Sequence, residues 1–267
     1  MRRAIAAIVA RDLKRMLRQR GRLVSSMVRP LIWLFVIGTG FQGMLDGLGR
    51  GGGYQRFLVP GLLSMVVLFG ALLASLSMIY DKESGVMRML IIAPLPRPVV
   101  LLARTLGAAL IGICQALLLM LILLALGYLG VPRDPALCAL GLVAQALVCA
   151  SLGTLIAVFS KALEDFAVIM NFVIFPVFFL SGALYPIEHL PGVLKAVALA
   201  NPFSYGVDLL KHALGPEPLF DPDFSVGKDL LAMLTFVVLA LTIACRRFSQ
   251  APVFESLARA FTAPRRH

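Results

Sequence analysis

The chain has 267 residues, of which 60% are hydrophobic and 15% are charged. This composition excludes an ordinary soluble domain, which is about 45–50% apolar and about 25% charged, and it favours the lipid bilayer as the solvent. The formal net charge of +11 would suit nucleic acid, but the Arg and Lys residues stand in short connections between apolar runs. That distribution is typical of the positive-inside bias of membrane proteins, so no nucleic-acid partner is expected.

Residues 1–27 predict a cytoplasmic interfacial helix. One stripe at helical spacing is apolar, while basic side chains crowd the rest of the surface. We expect the stripe to dip into the acyl boundary and the basic groups to rest on anionic lipid headgroups. A soluble helix packed on a protein partner is the alternative. The stripe consists of Ile5, Ile8, Val9, Leu13, Met16 and Leu17.

Six apolar runs within residues 28–245 predict transmembrane spans, since a crossing helix needs about 20 mostly apolar residues. Pro30 is placed in the first turn of the first span. Pro132 and Pro135 predict a tight hairpin between spans three and four. Arg104, at the start of the third span, is expected to snorkel to the headgroups. The predicted spans are 30–45, 57–80, 101–129, 136–159, 166–184 and 230–245.

The segment between spans five and six is different, because prolines break its apolar residues into short pieces. Pieces of 10 to 14 residues are too short to cross the bilayer as helices. The pattern predicts two short re-entrant helices, 190–200 and 203–214, that dip into one face of the membrane, with Asn201 as a cap between them.

Charge distribution predicts the orientation. The N-terminal arm, residues 81–104, residues 160–165 and the tail 246–267 contain most of the Lys and Arg, whereas the opposite connections are richer in acids. Both termini are therefore expected in the cytoplasm, which requires an even number of spans.

The chain lacks recognisable machinery for chemistry or for driving transport. Ion-coupled carriers need ionisable residues inside the membrane, and the predicted spans contain essentially none. The sequence has no GxxxxGK[ST] phosphate loop and no HExxH, and neither Ser/His/Asp nor Cys/His spacing suggests a catalytic or metal site. His189 and His212 are interpreted as interfacial residues. We expect the chain to bind no metal or cofactor of its own.

Two segments have a distinctive order of residues. The first is Asp81-Lys82-Glu83-Ser84-Gly85-Val86-Met87-Arg88-Met89-Leu90, followed by Ala93-Pro94-Leu95-Pro96-Arg97. The second is Phe179-Leu180-Ser181-Gly182-Ala183-Leu184-Tyr185-Pro186, then Leu190-Pro191 and Asn201-Pro202-Phe203-Ser204-Tyr205 with Asp208. Both segments resemble the membrane subunits of ABC-2 type exporters. Asp81 stands where that family more often has Glu, and Lys211 with His212 stands where it often has Arg.

The resemblance implies a single permease domain, 1–267, with an N-terminal interfacial helix, six spans, a cytoplasmic coupling helix and two re-entrant helices. It further implies a dimer served by two copies of an ATP-binding subunit, with ATP and Mg bound on that partner, in a bacterial inner membrane among lipids. The chain is similar to permeases that export drugs or lipid-linked glycans, so we expect a lipophilic, amphiphilic or lipid-linked substrate.

Three groups of residues receive predicted roles. The coupling helix would dock in a cleft of the ATPase, so that closure of the ATPase moves the spans; a merely solvated loop is the alternative. An outer gate would form where prolines break the helices, and a phenylalanine stripe would line the path unless it only packs. The predicted coupling residues are Asp81, Lys82, Glu83, Gly85, Met87, Arg88, Leu90 and Pro94. The predicted gate residues are Ser181, Gly182, Tyr185, Pro186, Pro191, Asn201 and Pro202. The predicted path residues are Asn171, Phe172, Phe175, Phe178 and Phe179.

Two other classes of function stay open at this stage. One is a membrane-embedded enzyme acting on lipids, which would need paired acids or a nucleophile at a membrane face. The other is a non-transporting anchor for a signalling complex, which would have no ATPase partner.

Overall fold

The computed structural model describes residues 2–18, 20–47, 53–84, 96–160, 162–215 and 222–250, and every regular element in these ranges is helical. The helices are α1 (Arg2–Arg18), α2 (Arg20–Ile32), α3 (Thr39–Gly47), α4 (Tyr54–Phe57), α5 (Val59–Glu83), α6 (Arg97–Ala125), α7 (Pro135–Phe159), α8 (Leu163–Phe179), α9 (Gly192–Ala200), α10 (Pro202–Leu214) and α11 (Val226–Gln250). A π-helical segment, Trp33–Gly38, joins α2 to α3, and a 3-10 turn covers Ile187–His189.

Four helical segments of the described chain are long and apolar enough to cross a membrane. They are Tyr54–Glu83, Arg97–Ala125, Pro135–Phe159 and Val226–Phe248, and they correspond to predicted spans two, three, four and six. The prediction of an all-α membrane protein is confirmed to this extent. The count of six spans stays a prediction.

The predicted first span lies inside a helical run that begins earlier, at Arg20. Pro30 stands within α2 rather than at a first turn, so its predicted placement is wrong. Proline removes an N–H donor and crowds the preceding turn, and the helix becomes π-helical shortly afterwards, at Trp33–Gly38. Single π-helical turns of this kind are frequent at functional sites.

The fifth predicted span is shorter than expected. Helix α8 has 17 residues, which is at the lower limit of about 17 for a full crossing. The chain then turns, and side chains satisfy the last carbonyls of the helix: Ser181 Oγ donates to Phe178 O at 2.6 Å and Tyr185 OH donates to Phe179 O at 2.7 Å.

The predicted hairpin between spans three and four is present. Gly127 follows α6 with a φ of 77°, a left-handed conformation that favours glycine after a helix. Helix α7 starts at Pro135, and the Asp134 carboxylate accepts the N–H of Leu137 at 3.0 Å. Proline in the first turn after an acidic cap is a typical helix start.

The two short helices predicted between spans five and six are also present, as α9 and α10. Asn201 lies between them, and its Oδ1 accepts the N–H of Phe203 at 3.1 Å, which confirms the predicted cap. Its Nδ2 donates to Val177 O at 2.7 Å, so the same residue fastens the start of α10 to α8.

Helix α5 lies at the centre of the bundle and packs on α6, α7, α8 and α10. Most of its apolar side chains are buried, with Leu63, Val67 and Leu72 at 0% exposure. Helix α11 packs on α7 and α10 and leaves one side apolar and open, as Leu231 at 67% exposure shows. An apolar exposed side is expected where lipid replaces water.

Helix α1 packs on α6. Ile8, Asp12 and Met16 lie one turn apart and are buried, at 8%, 7% and 6% exposure. The expectation that the apolar stripe dips into the acyl boundary is therefore wrong for Ile8 and Met16, which contact protein.

Candidate transport site

Four charged side chains form an ion cluster where the middle of α1 meets the end of α5 and the start of α6. Arg104 of α6 donates through Nη1 to both carboxylate oxygens of Asp12, at 3.1 and 3.2 Å, and through Nη2 to Asp81. Arg11 Nη2 lies 3.1 Å from Asp81 and 3.3 Å from Asp12. We call Arg11, Asp12, Asp81 and Arg104 the cytoplasmic ion cluster, after the orientation predicted from the sequence. It joins α1 to the ends of two spans.

Two sequence expectations change at this cluster. Arg104 is 5% exposed and is occupied by two carboxylates, so the expectation that it snorkels to the headgroups is wrong. Asp81 is 6% exposed and faces the protein interior. A partner could contact Asp81 only if the cluster opened.

The two residues that follow Asp81 bind two further helices. Lys82 Nζ donates to the carbonyls of Ala157, Val158 and Ser160, at 2.6, 3.3 and 3.3 Å, where a cation complements the end of α7. Glu83 accepts the N–H of Leu163 at 2.9 Å, at the start of α8. The end of α5 is therefore bonded to α1, α6, α7 and α8.

The other five residues with a predicted coupling role lie outside the described residues. They are Gly85, Met87, Arg88, Leu90 and Pro94.

A groove of about 270 Å³ opens between the α2–π segment, α5 and α8. Its aromatic lining is interlocked, because Trp33 packs edge-on against Phe178 and Phe179 at 5.9 and 5.7 Å. We call it the aromatic groove. Its lining consists of Arg29, Trp33, Met65, Phe69, Leu73, Met170, Asn171, Ile174, Phe175, Phe178 and Phe179.

Arg29 contributes a positive charge to this apolar lining. Its guanidinium lies 4.0 Å from the centre of the Phe69 ring, a distance typical of a cation–π contact. Phe69 is in the middle of α5, about 21 Å along the helix from Glu83 at a rise of about 1.5 Å per residue. The expectation that the spans are nearly free of charge therefore missed a guanidinium beside the middle of a span.

The groove contains four of the five residues predicted to line a path, namely Asn171, Phe175, Phe178 and Phe179. Phe172, 82% exposed, is not part of the lining. On one helix, the same stripe thus divides into a groove side and an outward side.

The residues predicted to form an outer gate lie at the opposite end of the bundle from the cytoplasmic ion cluster. Ser181, Gly182 and Tyr185 form the turn after α8, and Gly182 has a φ of 74°, which favours glycine. This turn packs tightly on α5, since a Cβ on Gly61 would lie 2.7 Å from Ala183 O. Pro186 begins the 3-10 turn, Pro191 precedes α9, and Asn201 and Pro202 begin α10.

A second group of charged residues lies at this opposite end, and we call it the outer polar cluster after the predicted orientation: Asp208, Lys211, His212, Asp223 and Asp229. Lys211 Nζ is 2.9 Å from Asp223 Oδ2, and the Asp208 carboxylate accepts the N–H groups of Asp223 and Phe224 at 2.7 and 3.0 Å. Burial raises the pKa of Asp208, while these N–H donors and Lys211 act in the opposite direction. Metal-ligating atoms of Asp208, His212 and Asp229 lie within 4.8 Å of one another.

Sequence reasoning missed Asp12, Arg29 and Asp229 as site residues. Asp12 carried a signal, because it is an acid at the spacing of Ile8 and Met16 on the apolar stripe. Asp208 and His212 carried another, since residues four apart lie on one face of a helix. Arg29 had no such signal, because a basic arm precedes it directly.

The sequence profile described as ABC-2 type transporter matches residues 3–214 of the chain. The chain belongs to the ABC-2 type transporter family. The family match covers α1 to α10 and therefore includes the cytoplasmic ion cluster and the aromatic groove. Membership of the ABC-2 family implies an ATP-binding partner.

Curated relatives of this ABC-2 protein include two named permeases. The chain is 28% identical over 216 residues to the Inner membrane transport permease YadH of Escherichia coli (strain K12), covering 78% of this chain and 82% of the relative. It is 25% identical over 226 residues to the Putative transport permease ycf38 of Cyanophora paradoxa, covering 80% and 78%. It is 26% identical over 228 residues to Nodulation protein J of Rhizobium leguminosarum bv. trifolii, covering 84% and 86%. The names of the first two relatives describe transport permeases.

Proposed function

We propose that the chain is the membrane subunit of an ATP-driven exporter in a bacterial inner membrane, working as a dimer with two copies of a separate ATP-binding subunit. The substrate is an amphiphile, free or lipid-linked, with an apolar body and an anionic group. The aromatic groove is the observation that carries this proposal. Its aromatic and aliphatic walls suit an apolar body, and Arg29 supplies a cation where lipid offers no counterion.

The end of α5 supports the coupling part of the proposal. Displacement of the connection after Glu83 would be passed to four helices at once, through Asp81, Lys82 and Glu83. An ATPase can move the spans if this bonded end switches between two discrete arrangements. Both termini are then cytoplasmic, and a reporter fused to the C-terminus tests that orientation.

The partner is tested by purifying the chain from native membranes. We expect an ATP-binding subunit to copurify at near-equal stoichiometry. Its absence would contradict the exporter and favour a non-transporting anchor.

The groove is tested on the assembled complex in nanodiscs, with ATP hydrolysis measured against paired anionic and neutral amphiphiles of the same apolar body. We expect Phe175→Ala to reduce stimulation at least about fivefold, as loss of roughly 1 kcal/mol or more of aromatic contact implies. Phe172→Ala, on the same helix but outside the groove, is the matched control. Arg29→Gln should reduce the response to anionic compounds more than to neutral ones; equal losses for both would exclude a role in recognising the anion.

A further inference from the structure

The outer polar cluster holds more negative charge than its cations compensate. Asp208, Asp223 and Asp229 bring three carboxylates to the ammonium of Lys211 and the imidazole of His212. Lys211 Nζ is 2.9 Å from Asp223 but 3.9 Å from the nearest oxygen of Asp208. Its positive charge therefore compensates mainly the carboxylate of Asp223. Three carboxylates thus share one ammonium group among the described residues, and the carboxylates outnumber it by two.

Asp229 is the least compensated member. Its exposure is 0%, and neither carboxylate oxygen has a hydrogen-bond partner among the described residues. The first turn of a helix favours a carboxylate through its partial positive charge, and Asp229 gains that at the start of α11. This offsets only part of one charge, and a buried carboxylate without a partner is otherwise costly.

We propose that Asp208, His212 and Asp229 bind one divalent transition-metal cation at the outer end of the protein. Two carboxylates and an imidazole are ligands that suit Zn²⁺ and its neighbours. Ligand atoms about 2.1 Å from a tetrahedral ion lie about 3.4 Å apart. The three ligand atoms are within 4.8 Å of one another, so side-chain rotations that move them by about 1 Å are sufficient.

His212 lies on the solvent side of the site and next to a backbone carbonyl oxygen, that of Phe224. Its side chain is 24% exposed, whereas that of Asp208 is 1% exposed, so the imidazole is the side of the site nearest to solvent. Nε2 lies 3.8 Å from Asp208 Oδ2 and 2.9 Å from Phe224 O. When Nε2 binds a cation, the imidazole proton moves to Nδ1, and Phe224 O becomes a neighbouring oxygen ligand.

Binding would fasten three pieces of the outer end together. Asp208 is on α10 and Asp229 is on α11, and Asp208 already holds the connection between them through the N–H groups of Asp223 and Phe224. The cation would replace repulsion between two buried carboxylates by a shared bond. This inference does not depend on the aromatic groove or on the substrate.

The test uses the full chain in nanodiscs, purified with a tag that contains no histidine and titrated with Zn²⁺ by calorimetry, with the bound metal counted by mass spectrometry. We expect one site that His212→Gln and Asp229→Asn each weaken at least about tenfold. His189→Gln and Glu188→Gln are the matched controls, because both residues are exposed and neither belongs to the cluster. They should bind like the wild type.

Thermal melting with and without chelator separates loss of the site from loss of the fold. Zn²⁺ should raise the melting temperature of the wild type and the two controls but not of the two site variants. His212→Gln retains a polar side chain and both aspartates, so it keeps the test valid if Asp229→Asn fails to fold. A wild type that binds no Zn²⁺, or site variants that bind as tightly as the controls, would overturn the proposal.

Discussion

The two ends of this protein handle buried charge differently. In the cytoplasmic ion cluster, two arginines face two aspartates, and Arg104 alone satisfies three carboxylate oxygens. In the outer polar cluster, three carboxylates share one lysine and a histidine, and neither carboxylate oxygen of Asp229 has a hydrogen-bond partner in the part of the chain that the structure describes. Burial alone therefore does not identify a binding site. The contacts within a balanced cluster account for the burial of its charges, whereas an unbalanced cluster requires a further cation.

The largest effect should follow from breaking the balanced cluster. Arg104→Met leaves Asp12 and Asp81 buried, with the half-exposed Arg11 as their remaining ion-pair partner among the described residues, and removal of one side of a buried ion pair costs about 3–5 kcal/mol. We expect little folded protein, measured by gel filtration and thermal melting in detergent. Arg11→Ala is the control, since Arg11 is 44% exposed and solvent screening keeps such pairs near about 0–1 kcal/mol. Equal stability of the two variants would contradict the assigned roles.

A smaller loss of stability is expected when the packing between α5 and the outer turn is disturbed. Gly61→Ala places a methyl 2.7 Å from Ala183 O, and overpacking of a core costs about 1–3 kcal/mol. Gly40→Ala is the matched control, because a Cβ there meets no atom within 4 Å. The melting temperature should fall for Gly61→Ala alone. If both variants melted together, the outer turn would not depend on its contact with α5.

Substitution of Glu83 separates an effect on coupling from an effect on stability at the end of α5. It is exposed and accepts one N–H from Leu163, so Glu83→Gln, which keeps an acceptor, should hardly change the melting temperature. If the end of α5 passes motion from the ATPase, substrate-stimulated ATP hydrolysis should still fall severalfold. Glu164→Gln, a nearby acid in the first turn of α8, is the control. Unchanged stimulation in Glu83→Gln would remove Glu83 from the coupling path.

The parts that sequence predicted are those set by local patterns. Apolar runs placed four spans, Pro132 and Pro135 marked the turn before α7, and Asn201 marked the start of α10. Contacts between distant residues were not accessible in this way. Asp12 and Arg104 are joined across 92 positions, and the aromatic groove combines Trp33, Phe69 and Phe175 from three helices. Pro30 misled the prediction because proline suits a first turn, whereas here it stands inside α2.

The smallest stability effect, and one of opposite sign, is expected at Asp229 in the absence of metal. Asp229→Asn removes a buried charge and no hydrogen bond, because neither oxygen of Asp229 has a partner among the described residues. The variant should therefore melt at the same temperature as the wild type in chelator, or slightly higher, since the cost of burying the charge is gone.

The control for that measurement is Asp208→Asn. Asp208 accepts two backbone N–H groups, so weakening its acceptor oxygens should lower the melting temperature although the same charge is removed. A drop in Asp229→Asn as large as that in Asp208→Asn would show that Asp229 carries contacts of its own, and the contrast between the two ends would lose its basis. A stable Asp229→Asn beside an unstable Arg104→Met would establish that Arg104 holds the fold together while Asp229 tolerates loss of its charge, as expected of a residue whose role is to bind a ligand.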